Sequence, residues 1–160
     1  MDKSHTENLI VCTDINGGVH LVCIEDLVDR SSVYAVISVE DRVVMVLDRS
    51  AVSLWSFPGG GIELGETRAQ ALHREVFEET NLILEADIQE IVTTTEFFYD
   101  LESDTSWRST RTFFRARARG TLELGGNDDD IVGAKLLAIP SDLDKIAPTA
   151  RAILDRVGDL

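Results

Sequence analysis

The sequence predicts an α+β fold made mostly of strands, with one helix near the middle and another at the end. Three observations carry that expectation. Hydrophobic residues make up 44% of the 160 residues, enough for one buried core and too many for a disordered chain. Short apolar runs rich in Val and Ile recur along the chain, with turn residues between them. Residues 68–80 and 149–157 place apolar members at helical spacing. The sequence has no internal repeat and no low-complexity linker, so residues 1–160 read as a single domain.

Residues 1–7 read as a loose terminus. Apolar runs at 9–13 and 19–24 flank Asn16-Gly17-Gly18, a strong signal for a hairpin over about 9–24. Two registers are open: a Gly17-Gly18 turn sets Cys12 opposite Cys23, and an Asn16-Gly17 turn sets it opposite Leu21. Cys12 and Cys23 are the two cysteines of the chain. No secretion signal precedes them, so two reduced, partly buried thiols are expected rather than a disulfide. Their spacing fits no zinc pattern. The polar stretch 26–32 reads as a break. VYAVISV at 33–39 and VVMVL at 43–47 then pair around the turn Glu40-Asp41-Arg42.

A loop at 48–53 leads to a short strand at 54–57, ended by Pro58, which lacks an N–H for pairing. Gly59, Gly60 and Gly61 follow and permit turns that a Cβ forbids. Thr67 is placed to cap a helix running from Arg68 to about Thr80. Leu72 and Val76 make its buried stripe with Ala69, Ala71 and Phe77 alongside, and the carboxylates lie mainly off that stripe. Asn81 is suited to the left-handed cap at the far end. Strands are expected at 82–87 and 89–98, then a polar loop over 99–108. A strand at 109–119 follows, with Arg111, Arg115, Arg117 and Arg119 along one face. After an acidic turn at 125–130 come a last strand at 135–139, stopped by Pro140, and a helical turn near 141–146. The closing helix turns Ala150, Ile153, Leu154 and Val157 inward.

Charge narrows the function. The formal net charge is −14, from 15 Lys and Arg against 29 Asp and Glu. Such a chain is repelled by a nucleic-acid backbone and by anionic membranes, so no stable nucleic-acid complex and no membrane partner are expected. No apolar run approaches the ~18 residues of a membrane helix. The polar start, MDKSHTEN, has no signal-peptide core, so a cytoplasmic location is expected. A small phosphorylated substrate is compatible with this balance if cations neutralise it locally.

The densest chemistry lies between Gly59 and Leu82. Glu75, Glu78 and Glu79 sit three and four residues apart, which puts three carboxylates on one side of the helix. Like charges so placed repel, and a hard divalent cation that takes several carboxylate oxygens resolves the repulsion. Gly60, five residues, Glu66, seven residues, then Arg74-Glu75-Val76-Phe77-Glu78-Glu79-Thr80-Asn81-Leu82 resembles the Nudix box, G-x5-E-x7-R-E-U-x-E-E-x-G-U with U aliphatic. Eight of its nine defined positions match over residues 60–82. Asn81 replaces the last glycine and is the next most tolerant residue for positive φ. Trp55 to Gly60 also resembles the strand that leads into the box.

The resemblance implies the Nudix fold, a mixed sheet sandwiched between helices with the box as loop–helix–loop. It implies metal-dependent hydrolysis of a nucleoside diphosphate linked to another group X, with Mg²⁺ or Mn²⁺ as cofactor and a (d)NTP or modified nucleotide as first candidate. ADP-ribose, a dinucleotide or a nucleotide sugar is the alternative substrate class. Glu75, Glu79, Glu78 and the Gly59 carbonyl are the implied metal ligands, Arg74 orients a box carboxylate, and Glu66 fixes the loop. The general base is Glu75 or a loop acid, with Glu102, Asp104 and Asp128 to Asp130 as loop candidates. The N-terminal hairpin is a candidate homodimer interface. A catalytically silent nucleotide-binding domain of the same fold is the competing class, although such domains usually lose box carboxylates that are present here.

Residues outside the box carry weaker signals. Arg49 and Arg111 are candidate phosphate contacts, and Tyr99 and Trp107 candidate stacking surfaces. Trp55, Phe57 and Phe98 read as core. His5, His20 and His73 carry no catalytic signal.

Overall fold

The computed structural model describes residues 8–14, 16–49, 53–124 and 130–158. They fall into two compact units. One holds the described residues up to Ser31 together with Thr93–Arg111, and the other holds Ser32–Val92 with the described residues from Thr112 onward. Among the described residues no helix is long and apolar enough to cross a membrane.

In the first unit, β1 (Leu9–Thr13) and β2 (Val19–Cys23) form the expected hairpin. Its register differs from both expectations: Cys12 faces His20, and Cys23 faces Leu9. The Asp14 side chain is the cause. Its Oδ1 accepts the N–H groups of Asn16 and Gly18, each at 2.8 Å, and its Oδ2 meets His20 Nε2 at 2.7 Å. Those bonds close a longer turn in which the Asp14 N–H donates to the Gly18 carbonyl and Gly17 takes φ +79°. Both cysteines are free thiols. β1 also runs parallel to β6 (Ile83–Asp100), with Thr13 opposite Phe98.

Several strands are longer than expected. β3 spans Val28–Val39, so the supposed break at 26–32 shrinks to a short 3₁₀ turn, Ile24–Asp26, and the link at Leu27. Asp29 belongs in the strand because it pairs at 3.4 Å with Arg108 of β7 (Thr105–Arg119). β6 is one continuous strand where two were expected. The polar loop foreseen over 99–108 contracts to the turn 101–104. Charged residues extend these strands because their partners stand across the ladder: Arg111 meets Glu96 at 3.1 Å and, in the second unit, Arg117 meets Glu85 at 3.3 Å.

In the second unit the sheet runs β6, β7, β3, β4 (Arg42–Asp48), β8 (Ile131–Ala138), with β5 (Gly59–Gly61) pairing on β3. Strand alternation sends side chains to two faces, and a helix covers each. Val33, Ala35, Ile37 and Phe114 pack with Ala71, Leu72 and Val76 of α1 (Arg68–Thr80). Val36, Met45, Phe57 and Phe113 pack with Ala150, Ile153 and Leu154 of α2 (Pro148–Val157). Both helices match their expected positions, and the expected sandwich is present here. The expected strand at 54–57 reduces to single bridges, because Trp55 pairs with Ile146 while Ser56 pairs with Val46.

α1 is capped at both ends by local chemistry. Thr67 accepts the Gln70 N–H and the Gln70 side chain accepts the Thr67 N–H, a reciprocal capping box. At the other end Asn81 takes φ 61°, ψ 11° and donates its N–H to the Phe77 carbonyl. Asn81→Ala is therefore expected to lower the unfolding free energy by about 1 kcal/mol. Asn81→Gly should leave it unchanged or higher, and urea denaturation reads both.

Candidate active site

The site is built where β5 passes over α1, both in the second unit. Gly59 has φ +149°, and a Cβ there would lie 2.0 Å from the Val33 carbonyl oxygen. A Cβ on Gly60 would stand 2.7 Å from the Glu75 carboxylate. The glycines thus form a strand pressed against β3 rather than the free turns expected from composition. Their missing side chains let the backbone reach the helix carboxylates, and the Gly59 N–H donates to Glu79 Oε2 at 2.9 Å.

Glu75 and Glu79 do not lie off the buried stripe of α1. They belong to it, at 9% and 3% exposure, while Ala69 and Phe77 face outward. Ala71, Glu75 and Glu79 form one buried lane and Leu72, Val76 and Thr80 the next. Buried carboxylates require partners, and Arg74 is the main one. Its Nε and Nη2 donate to the two oxygens of Glu66 at 2.7 and 2.9 Å. Nη2 also donates to the Gly61 carbonyl at 3.0 Å. Nη1 donates to Glu75 at 2.8 Å and to Glu78 at 3.3 Å. One planar guanidinium thereby holds three of the four box carboxylates.

This fan sets the acid–base state of its members. Hydrogen bonds from Arg74, then the Glu63 N–H, bring the Glu66 carboxyl down from 4.5 to about 2. The hydrogen bond to Glu66 in turn holds the Arg74 guanidinium above its ordinary value. A carboxyl depressed in the folded state stabilises the fold above its unfolded value, and that contribution is lost as pH falls through the folded one. Glu66→Gln is therefore expected to lose less stability than the native chain between pH 4.5 and 2, as read by thermal melts.

The structure brings together Gly59, Glu66, Arg74, Glu75, Glu78 and Glu79. Arg49 lies in the turn after β4, its N–H on the Asp130 carbonyl at 2.7 Å. Tyr99 and Arg111 belong to the first unit. One face of Tyr99 is covered by His20, with ring centroids 4.0 Å apart, and its hydroxyl donates to Asp104. Glu102 is exposed in the turn 101–104, and Asp128 and Asp129 lie outside the described residues. Phe57 is core, and Trp55 packs on the second cluster with Lys135 Nζ 4.3 Å from its ring centre. The Gly61 carbonyl and Glu63, whose N–H donates to Glu66 at 2.9 Å, were not foreseen. A backbone carbonyl has no sequence signal, whereas Thr67-x-x-Gln70 was a readable capping pattern.

The donor chemistry suits a hard divalent cation: three carboxylates and a glycine carbonyl, all oxygen, beside a Gly60 position that a Cβ would fill. Among the described residues no three acidic, His or Cys side chains are drawn together as a ready-made cage. Arg74 and the Gly59 N–H hold those carboxylates instead. Gly60→Ala is expected to fold while displacing the Glu75 side chain, and so to weaken Mn²⁺ binding in calorimetry. Gly59→Ala, which strikes backbone, should cost roughly 3 kcal/mol of stability or more.

A family model described as NUDIX domain matches residues 28–157. An RNA pyrophosphohydrolase from Francisella philomiragia is 36% identical over 81 residues, 47% of this chain and 51% of that protein. The match thus spans about half the length of that curated relative. The MutT NUDIX hydrolase of Burkholderia pseudomallei superposes with a TM-score of 0.63 at 20% identity, over 81% of this chain and 98% of that one. A bifunctional NMN adenylyltransferase/ADP ribose pyrophosphatase from Francisella tularensis, complexed with AMP and an Mn ion, gives 0.56 at 25% identity over 81% of this chain and 41% of that one. Because the family match takes in the whole box and most of the strands around it, the chain belongs to the NUDIX family.

Proposed function

We propose that this chain is a pyrophosphohydrolase that cleaves a diphosphate bond in a nucleoside diphosphate linked to a further group, with Mg²⁺ or Mn²⁺ as cofactor. The observation that carries the reading is the Arg74 fan: a half-buried guanidinium aligning Glu66, Glu75 and Glu78 beside a Glu79 already pinned to β5. Preorganised carboxylates of this kind serve positioning and charge stabilisation, which dominate phosphoryl chemistry. Glu75, Glu78, Glu79 and the Gly59 carbonyl would hold the cation, which when bound would neutralise the diphosphate oxygens. Glu75 is the first candidate to accept the proton of the attacking water. That water forms a new P–O bond as the bridging P–O bond breaks, giving two phosphorylated products. Arg74 and Glu66 position Glu75 without touching substrate.

The net charge of −14 favours small nucleotides over a long RNA backbone. ADP-ribose and dinucleotides are the second reading, favoured by the activity named for the Francisella tularensis neighbour. A panel of ordinary and oxidised dNTPs, ADP-ribose, diadenosine polyphosphates, nucleotide sugars and a 5′-triphosphate RNA, with products resolved by chromatography, tests both. Metal-dependent release of a monophosphate supports hydrolysis. Binding without product from any of them supports a silent binding domain and overturns it.

A further inference from the structure

We infer that the first unit carries a pocket for a small protonated aliphatic amine, an ammonium group on a short hydrocarbon chain. The pocket is a cavity of about 500 Å³ bounded by the edge strand β2, the 3₁₀ turn Ile24–Asp26 and the start of β7. The residues that line it belong to this one unit. Its volume lies inside the ~300–1,000 Å³ range of small-molecule sites.

Ser106 points most directly to a ligand. It is 7% exposed and lines the cavity, and its side chain has no hydrogen-bond partner among the described residues. A hydroxyl so buried normally has one. Among the described residues the fully enclosed side-chain oxygen without a partner is that of Thr94, so the Ser106 hydroxyl opens to the cavity rather than into the core. Two carboxylates share the lining. The Asp26 side chain has no ion pair or hydrogen bond among the described residues. Asp104 is held in place: the Tyr99 hydroxyl donates to it, and His20 stacks on the Tyr99 ring with centroids 4.0 Å apart. A carboxylate has about four acceptor sites, so Asp104 retains room for a ligand. Among the described residues no Lys, Arg or His lines the cavity. Leu21 and Val28 give it apolar walls, and at 68% and 44% exposure neither is used by core packing. Three acceptors match the three N–H donors of an ammonium group, and the apolar walls match the chain behind it. A bare divalent cation would have no use for those walls. Aliphatic amines are protonated at neutral pH, as lysine is with its value of ~10.4. The inference stands apart from hydrolysis, because it uses none of the box carboxylates.

The test titrates the full chain with butylamine, 1-butanol and Nα-acetyl-lysine amide at ~0.15 M salt, which screens long-range attraction to the net charge of −14. Calorimetry and backbone amide shifts follow binding. Butylamine is expected to saturate one site and shift the amides of Asp26, Asp104 and Ser106, with 1-butanol at least about tenfold weaker. Asp26→Asn and Asp104→Asn should each weaken butylamine about tenfold. Asn suits the Asp104 backbone, where φ is 52°, and still accepts the Tyr99 hydroxyl, so this variant keeps its turn. Ser106→Ala should weaken the amine about fivefold while leaving the urea midpoint unchanged or higher, since it deletes an unpartnered hydroxyl. A lower midpoint would show that the hydroxyl has a partner in the free chain and would overturn the inference. Excess Mg²⁺ should leave amine binding unchanged, and displacement by Mg²⁺ would place the amine at the box carboxylates instead. No saturable binding, equal binding of 1-butanol, or binding that all three substitutions leave unchanged would also overturn the pocket. Tighter binding of Nα-acetyl-lysine amide than of butylamine would overturn its assignment to a free small amine. Asp26 is exposed, so its variant gives an answer even if Ser106→Ala misfolds.

Discussion

Glu79→Gln is expected to reduce metal-dependent turnover roughly a thousandfold while the protein keeps its fold. The magnitude follows from removing one charged member of the proposed ligand set, where a bound cation would supply several kcal/mol of stabilisation, at ~1.4 kcal/mol per tenfold in rate. Retention of the fold follows from local geometry. The glutamine oxygen still accepts the Gly59 N–H that Glu79 accepts at 2.9 Å, and the side chain keeps nearly the same volume at a 3% exposed position. Steady-state rates beside a urea melt separate the two effects. Full turnover in a well-folded variant would remove Glu79 from the proposed ligand set.

Arg74→Met is expected to damage stability and turnover together. Methionine covers similar apolar surface but donates nothing. Glu66 loses two hydrogen bonds, Glu75 and Glu78 lose one each, and the Gly61 carbonyl loses another. Leaving the buried Glu75 carboxylate without its guanidinium costs at least ~1–3 kcal/mol. Turnover falls because the carboxylates are no longer aligned. Arg74→Lys should recover part of the stability and little of the rate, since one ammonium cannot present the planar fork that meets Glu66 at two points. If Arg74→Lys matched the native chain in both, alignment by the guanidinium would not be its role.

The sequence exposed local chemistry and hid what depends on distant partners. Glu75, Glu78 and Glu79 were legible from helical spacing, and Asn81 from its tolerance of left-handed backbone. The side of α1 on which the carboxylates fall was misread, because Ala69 and Phe77 look apolar and the glutamates look solvated. Burial of Glu79 is stabilised by a backbone N–H twenty positions away at Gly59, which composition cannot reveal. The hairpin register slipped for a similar reason. Asn16-Gly17-Gly18 suggested a two-residue turn, whereas the Asp14 carboxylate gathers Asn16, Gly18 and His20 around a longer one. Asp29 resembles a break in the sequence, and Arg108 across the ladder is what keeps it in the strand. The triple glycine suggests turns, whereas its value lies in close approach, a property of neighbours rather than of glycine itself.

The most direct test of the central claim is Mn²⁺ binding, followed by the resonance of the free ion, in the native chain and in Glu75→Gln and Glu79→Gln. Saturable binding by the native protein is expected, weakened at least about tenfold in each variant, with melting curves that remain cooperative. Equal binding by all three, or none by the native chain, would contradict that claim.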